Sequence, residues 1–476
     1  MKQKFLSDLS ANSLQVVINQ CCGLGIFYVL STYLDKTNFG EINWSLAVLL
    51  TLFGIVACGI DQVFVRRIAS GHNEKAVLSV YIFHVLFSGF LVYSLLLIGE
   101  FIFPSFFQKH NLLLLLGIGK LMIFFSTPFK QLATGMAKFR PLLYMSVCSN
   151  ILRSIALLVL AGINQLTLSA IIIIFIAGDL SELLLSFFIT HYIIKIPVTL
   201  QWNKKDYAGL VKESLPQLGV AVFTSVIARF DWILLGLISS NIILANYSFA
   251  YKIFEVATLP MLVVAPVLIP RFIKIFHPGA ATLPKDKIND LFVFLRIEMV
   301  IASLVALVLN ILWIPVIDFL TNGNYGSVNS LTILLLSATM PFLYLNNFLW
   351  TINFAKGRLQ MIFYVFAVTF LVNIVATTLL IPLYSAIGAA VAYVLTIISQ
   401  SILYLYQTRI DGLKKNSFCV LLCPFCALAS GISASVLFTN IWLQLFSALF
   451  LFLLLVIITV QLRLSDWMVF KRIAAR

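Results

Sequence analysis

The chain has 476 residues, of which 61% are hydrophobic and only 11% charged, a balance that excludes a stack of water-soluble domains. The formal net charge of +14 would suit nucleic acid in a soluble protein. Here the charges flank apolar runs, so their partner is anionic lipid at the inner membrane surface, and nucleic-acid binding is a poor reading.

Apolar runs of about 20 residues, each enough to cross a ~30 Å hydrocarbon core as a helix, recur from end to end with short polar breaks. In chain order they lie at 14 to 34, 42 to 64, 78 to 103, 111 to 130, 142 to 161, 166 to 194, 214 to 240, 244 to 270, 291 to 320, 328 to 354, 360 to 382, 386 to 407, 418 to 437 and 441 to 462. The pattern predicts an all-α polytopic membrane protein of about 14 transmembrane helices. The first run follows Lys2 and Lys4 and leads straight into another span, so it reads as an uncleaved first helix.

Charge placement tests the count. With the N-terminus inside, 25 of the 32 Lys and Arg residues fall in inside segments and only Lys36 and Lys109 in outside loops. Five stay within spans: Lys120, Arg153, Arg229, Lys252 and Arg296. Both termini are therefore expected in the cytoplasm. The seven cysteines, Cys21, Cys22, Cys58, Cys148, Cys419, Cys423 and Cys426, all lie in spans and read as packing residues. Cys419, Cys423 and Cys426 share a helix face but have no His or acid nearby, so no metal is expected.

The chain repeats itself. Gly40-Glu41-Ile42-Asn43-Trp44-Ser45 matches Ala245-Asn246-Tyr247-Ser248-Phe249-Ala250 in character, and the same offset carries Arg66 onto Arg271. Ala137-Lys138-Phe139-Arg140 likewise matches Ala355-Lys356-Gly357-Arg358. Helices 1 to 6 and 7 to 12 then form two lobes of the same orientation, related by a pseudo-two-fold along the membrane normal, with a cavity between them. The expected division is 1–194 (N-terminal lobe), 195–213 (cytoplasmic linker, with Trp202 at the interface), 214–408 (C-terminal lobe) and 409–476 (two further helices and a cytoplasmic tail).

Two six-helix lobes, a 12-plus-2 layout, the Ala-Lys-x-Arg turns and the matched entries to helices 2 and 8 resemble the polysaccharide-export branch of the multidrug/oligosaccharidyl-lipid/polysaccharide (MOP) flippase superfamily. The nearest likeness is to the O-antigen flippases, often called Wzx. The resemblance covers nearly the whole chain. It implies a bacterial inner-membrane protein of lipopolysaccharide biosynthesis that moves an undecaprenyl-diphosphate-linked oligosaccharide from the cytoplasmic to the periplasmic leaflet, by alternating access through a central cationic cavity. It also implies a monomer without cofactor, working in membrane lipid beside other polysaccharide-assembly proteins.

The intramembrane charges bear on this directly, because a charge at the bilayer centre costs about 2.5–3.5 kcal/mol on insertion scales and normally faces a cavity or a partner. Lys120, Arg153, Arg229 and Lys252 each lie about 8 to 11 residues from the outer end of their span, or ~12–17 Å at 1.5 Å per residue. All four sit near mid-membrane, where a translocating diphosphate would need cations. They are the candidate substrate-binding residues. Ordinary pairing stands beside that reading: counting back from the helix 7/8 turn sets Asp231 level with Lys252 and Arg229 with Glu255. Arg153 has a partial partner in Asp179, whereas Lys120 has no acid at its level in the neighbouring hairpin. Asp179 and Glu182, three apart on one face of helix 6, are candidates for ion coupling, unless Arg153 neutralises one and water the other. Asp61 and Arg296 can snorkel from the inner ends of their helices, and His84 and His191 read as structural.

No Gly-x4-Gly-Lys-Ser/Thr loop, His-Glu-x-x-His, paired-Asp glycosyltransferase motif or Gly-x-Ser-x-Gly is present, so an enzyme is not expected. Two other readings remain. A polysaccharide polymerase would carry a large periplasmic loop, while a MATE-like drug/cation antiporter would favour an acidic, aromatic pocket.

Overall fold

The computed structural model describes residues 2–261, 285–408, 410, 413 and 417–463. In hydrocarbon each backbone N–H and C=O must find its partner within the protein, which a helix achieves by itself. Among the described residues the regular structure is all helical, with no strand. The N-terminal half contains α1 (Lys2–Tyr33), α2 (Lys36–Val56), α3 (Ile60–Ala69), α4 (Glu74–Ile102), α5 (Pro104–Lys109), α6 (Leu112–Gly135), α7 (Phe139–Gly162) and α8 (Leu168–Phe188), the last extended by a π-helical turn, Ile189–Ile194. There follow α9 (Lys204–Ile227), α10 (Phe230–Ile238), α11 (Asn241–Ala257), α12 (Lys285–Thr321), α13 (Ser330–Ala338), α14 (Met340–Ala355), α15 (Leu359–Gln407), α16 (Cys419–Leu437) and α17 (Ile441–Ile458).

Every apolar run expected from the sequence falls mainly on helix where it is described. Among the described residues eleven helices are long and apolar enough to span a membrane, and the bent pair Lys204–Leu215 with Gln217–Ile227 makes a twelfth. One of the eleven, α15, holds two expected runs, because Ser385 adopts φ 49° and ψ −124° and breaks the helix three residues after Pro382. The run at 244–270 begins on α11, but its part beyond 261 lies outside the described residues, as do Arg271, Lys274 and the tail from 464. The run expected at 42–64 is divided: α2 ends at Val56, and Cys58 and Gly59 take positive φ (54° and 64°) before α3. Polar caps mark several helix starts, with Asp35, Asn73, Thr167, Asn203 and Asn440 each accepting from backbone N–H groups of the first turn.

The chain forms two compact units, Met1–Ser248 and Phe249–Arg476. In the first, α6 is central and packs on α2, α3, α4, α7 and α8, while α1 runs along α7. In the second, α12 packs on α13, α14, α16 and α17, and α15 on α13 and α14.

The internal repeat is visible in the backbone, with one correction of register. The α6–α7 turn places Ala137 at φ 53°, with Lys138 N bonding Ala133 O (2.8 Å). The α14–α15 turn places Gly357 at φ 69°, with Arg358 N bonding Asn353 O (3.0 Å). Both are left-handed helix C-caps of the same type. Ala137-Lys138 therefore corresponds to Gly357-Arg358, two residues further than the letter match, because the left-handed position sets the register and the Ala-Lys letters do not. Asn43 Nδ2 donates to Ser248 Oγ at 3.1 Å, and these two residues are 205 apart, the offset that matches Gly40 to Ala245.

Candidate functional site

Four of the eight candidate residues meet in the first unit, where α6, α7 and α8 converge. Asp179 on α8 is 1% exposed and pairs with Arg153 Nη2 of α7 at 2.5 Å and with Lys120 Nζ of α6 at 3.0 Å. One turn further, Glu182 accepts from Lys130 Nζ of α6 (2.7 Å) and from Ser149 Oγ of α7 (2.7 Å), with Arg153 Nη2 at 3.5 Å. Glycines give these side chains room. A Cβ on Gly178 would collide with the Arg153 side chain, and one on Gly119 with the Asp179 carboxylate. Asp179 and Glu182 are about 4.5 Å apart along α8, whereas Lys120 and Lys130 are about 15 Å apart along α6. The two ammonium groups therefore reach the carboxylates from opposite ends on long stems.

The Arg153–Asp179 pairing follows the sequence expectation. The expectation that Lys120 lacks an acid is corrected: its acid comes from α8, a helix that packs on α6 without being its hairpin neighbour. Nor is Glu182 left to water. Its cation is Lys130, one of the residues counted to the inside segments by the run ending at 130; α6 continues to Gly135, so Lys130 lies within the helix.

Lys130, Asn150, Arg153 and Glu182 line a cavity of about 500 Å³, with Asn19 and Thr127 on the same wall. The wall is polar well beyond the charges. Asn150 Nδ2 donates to Asn19 Oδ1 (3.0 Å), and Arg153 Nη1 donates to Asn150 Oδ1 (3.4 Å). Three cations and two carboxylates share the site, a formal excess of one positive charge that suits an anion.

The other four candidates lie elsewhere. Arg229 sits at the break between α9 and α10 with its guanidinium 4.6 Å from the Trp232 ring centroid. Asp231 is buried and accepts from Tyr247 Oη (2.6 Å) and Trp232 N (2.9 Å). In the second unit, Lys252 donates to Glu255 one turn along α11 at 2.8 Å.

A further buried group escaped the sequence reading. His110, after α5, is 1% exposed, with Nδ1 3.0 and 3.1 Å from the two carboxylate oxygens of Glu41 on α2. Its ring stacks on Trp44 with centroids 4.0 Å apart, and Asn241 Nδ2 donates to Glu41 at 2.9 Å. Trp44 Nε1 donates to Ile233 O (3.1 Å), so this group ties the start of α2 to α10 and α11. Among the described residues no group of three His, Cys, Asp or Glu residues could hold a metal ion.

The fold is that of a polytopic helical protein, an architecture shared with solved transporters of the MOP superfamily. The chain is similar to a lipid II flippase MurJ in an inward closed conformation, with a TM-score of 0.73, 18% identity, and coverage of 94% of this chain and 98% of that one. An inward-facing multidrug resistance MATE family transporter of the MOP superfamily matches with a TM-score of 0.62 and 16% identity over 83% of this chain and 96% of its own. A MOP superfamily transporter from Pyrococcus furiosus, described as having a binding pocket of reverse polarity, matches with a TM-score of 0.60 and 12% identity over 87% and 95% of the two chains. None of the curated proteins compared matches the sequence significantly. The family model described as polysaccharide biosynthesis protein matches residues 5–276, more than half of the chain, and the chain belongs to that family.

Proposed function

We propose that the protein carries an undecaprenyl-diphosphate-linked oligosaccharide, such as an O-antigen repeat unit, from the cytoplasmic to the periplasmic leaflet of the bacterial inner membrane. The observation that carries this reading is the ion group of Lys120, Lys130 and Arg153 on Asp179 and Glu182, of which Lys130 and Arg153 line a polar cavity of about 500 Å³, in a family of polysaccharide biosynthesis. A diphosphate cannot enter hydrocarbon unaided, and three cations at one intramembrane site offset its desolvation. Asp179 and Glu182 hold those cations in place and give way when phosphate oxygens compete for them. The release of paired carboxylates is the step that changes the protein's preferred state, since a load shifts an equilibrium only by what it gains in one state over another. In this reading Arg229 and Lys252 also serve the substrate, and both termini face the cytoplasm. The protein works as a monomer without a cofactor and catalyses no covalent change.

The test is transport by the full chain in vesicles made with a polyprenyl-diphosphate-linked oligosaccharide, read by the fraction of sugar that becomes accessible to an enzyme on the opposite side. Protein-dependent movement of this lipid, lost in Lys130→Glu, is expected. Movement of organic cations with no movement of the lipid would replace the reading with a MATE-like antiporter, and joining of repeat units would replace it with a polymerase.

A further inference from the structure

The charged group accounts for only part of the lining of the cavity in the first unit. Beside it, three helices each contribute polar but uncharged side chains at helical spacing. On α1, Gln15 and Asn19 are four residues apart, and on α7, Ser146 and Asn150 are four apart, with Arg153 completing the stripe. On α6, Thr127, Gln131 and Thr134 flank Lys130. In a bilayer, uncharged amides on three adjoining helices are costly unless each finds a partner. Some do: Asn19 Nδ2 donates to Ser146 Oγ at 3.4 Å, and Asn150 bridges Asn19 and Arg153. The Gln15 Oε1 atom is buried and has no hydrogen-bond partner, although it lines this cavity.

We propose that this amide wall is the subsite for the sugar attached directly to the phosphate, with Gln15, Asn19, Gln131 and Asn150 as the residues that read it. The inference rests on the flippase reading and adds to it the part of the load that is uncharged. An amide offers a donor and an acceptor on one planar group, which matches the adjacent hydroxyls or N-acetyl group of a pyranose. A phosphate, which only accepts, would leave the amide oxygens unmet. The Asn150 bond to Arg153 sets the two halves side by side: charge for the phosphate at Lys130 and Arg153, amides for the ring next to it. The wall therefore discriminates glycosylated from sugar-free carrier, whereas the charged side binds both.

The experiment uses the full chain in lipid nanodiscs, prepared without glycosidic detergent so that no other sugar competes. Binding of undecaprenyl diphosphate is compared with that of undecaprenyl-diphosphate-linked N-acetylglucosamine and of its glucose counterpart. Asn19→Val and Gln131→Met should each weaken the glycosylated lipids roughly tenfold and leave undecaprenyl diphosphate within twofold. Arg153→Ala should weaken all three. Gln131 has no hydrogen bond among the described residues, so its replacement removes a cavity group without breaking a link in the protein. Equal loss for all three lipids, or no loss in either amide variant, would overturn the sugar subsite while leaving the diphosphate site intact. Failure of the unaltered protein to bind any of the three would overturn both readings.

Discussion

Replacing Asp179 by Asn removes one charge from the centre of the ion group and keeps its shape. Asp179 is 1% exposed and serves two cations, Arg153 at 2.5 Å and Lys120 at 3.0 Å. Removing one partner of a buried pair costs about 3–5 kcal/mol, because the other charge is left without compensation. Here two cations are left, but Glu182 lies 3.5 Å from Arg153 and the Asn oxygen still accepts one hydrogen bond worth about 1 kcal/mol. The expected loss is therefore roughly 3–4 kcal/mol, and for Arg153→Met, which leaves Lys120 on Asp179, about 3 kcal/mol. Both act through the same contact, so the double variant should fall short of the sum by about 2 kcal/mol in equilibrium unfolding from mixed micelles. The formal excess of the site rises at the same time from one positive charge to two, so Asp179→Asn should bind a polyprenyl diphosphate more tightly and release it more slowly. A coupling below about 0.5 kcal/mol would show that the two residues do not share an energetic unit. Destabilisation with unchanged diphosphate binding would assign the group to scaffolding.

Lys130→Arg should retain surface polysaccharide and Lys130→Ala should lose it at equal membrane abundance, since its role is charge toward Glu182 and phosphate; normal polysaccharide in Lys130→Ala would remove it from the site. Glu41→Ala strips the acceptor from His110 and Asn241, both held by that carboxylate, and should cost about 2–6 kcal/mol in the same unfolding assay, at about 1–3 kcal/mol per unmet group. A change under about 0.5 kcal/mol would mean that water replaces the carboxylate at no cost. Asn43→Ser should shorten the bridge to Ser248 and lose stability, and the exchange Asn43→Ser with Ser248→Asn should recover most of it; a double variant no better than the sum of the two single ones would show that the contact carries no energy.

The spans were legible because hydropathy and loop charge report on the bilayer, and the bilayer acts on every segment in the same way. Depth counting across a hairpin also placed Asp179 within reach of Arg153, since α7 and α8 are consecutive and a tight turn fixes their register. The same count failed for Lys120, whose acid lies on α8, two helices away in sequence but against α6 in space. That adjacency is set by packing, which no local pattern encodes. Lys130 was hidden by a helix end set five residues short, since hydropathy falls off before the helix does. The amides were passed over for a different reason: Asn19 and Asn150 carry no charge and do not interrupt a hydropathy run. Their spacing from Gln15 and from Arg153, four and three residues, was the signal available. The Glu41–His110 group had none, because a histidine after a short helix says nothing about which carboxylate lies opposite.

The bond between Asn43 and Ser248 links matching places of the two repeats. In a chain with a single copy of the repeat, the same contact could form only between two identical molecules, each offering the same position to the other, as in an isologous dimer interface. For that contact to be a hydrogen bond, such a position must hold a side chain that both donates and accepts. Fusion of the copies lifts that restriction, and the two places are then free to diverge as a pair, one keeping an amide and the other a hydroxyl. The hydrogen bond couples the two positions, so substitutions at 43 and 248 should be tolerated in combination more often than singly.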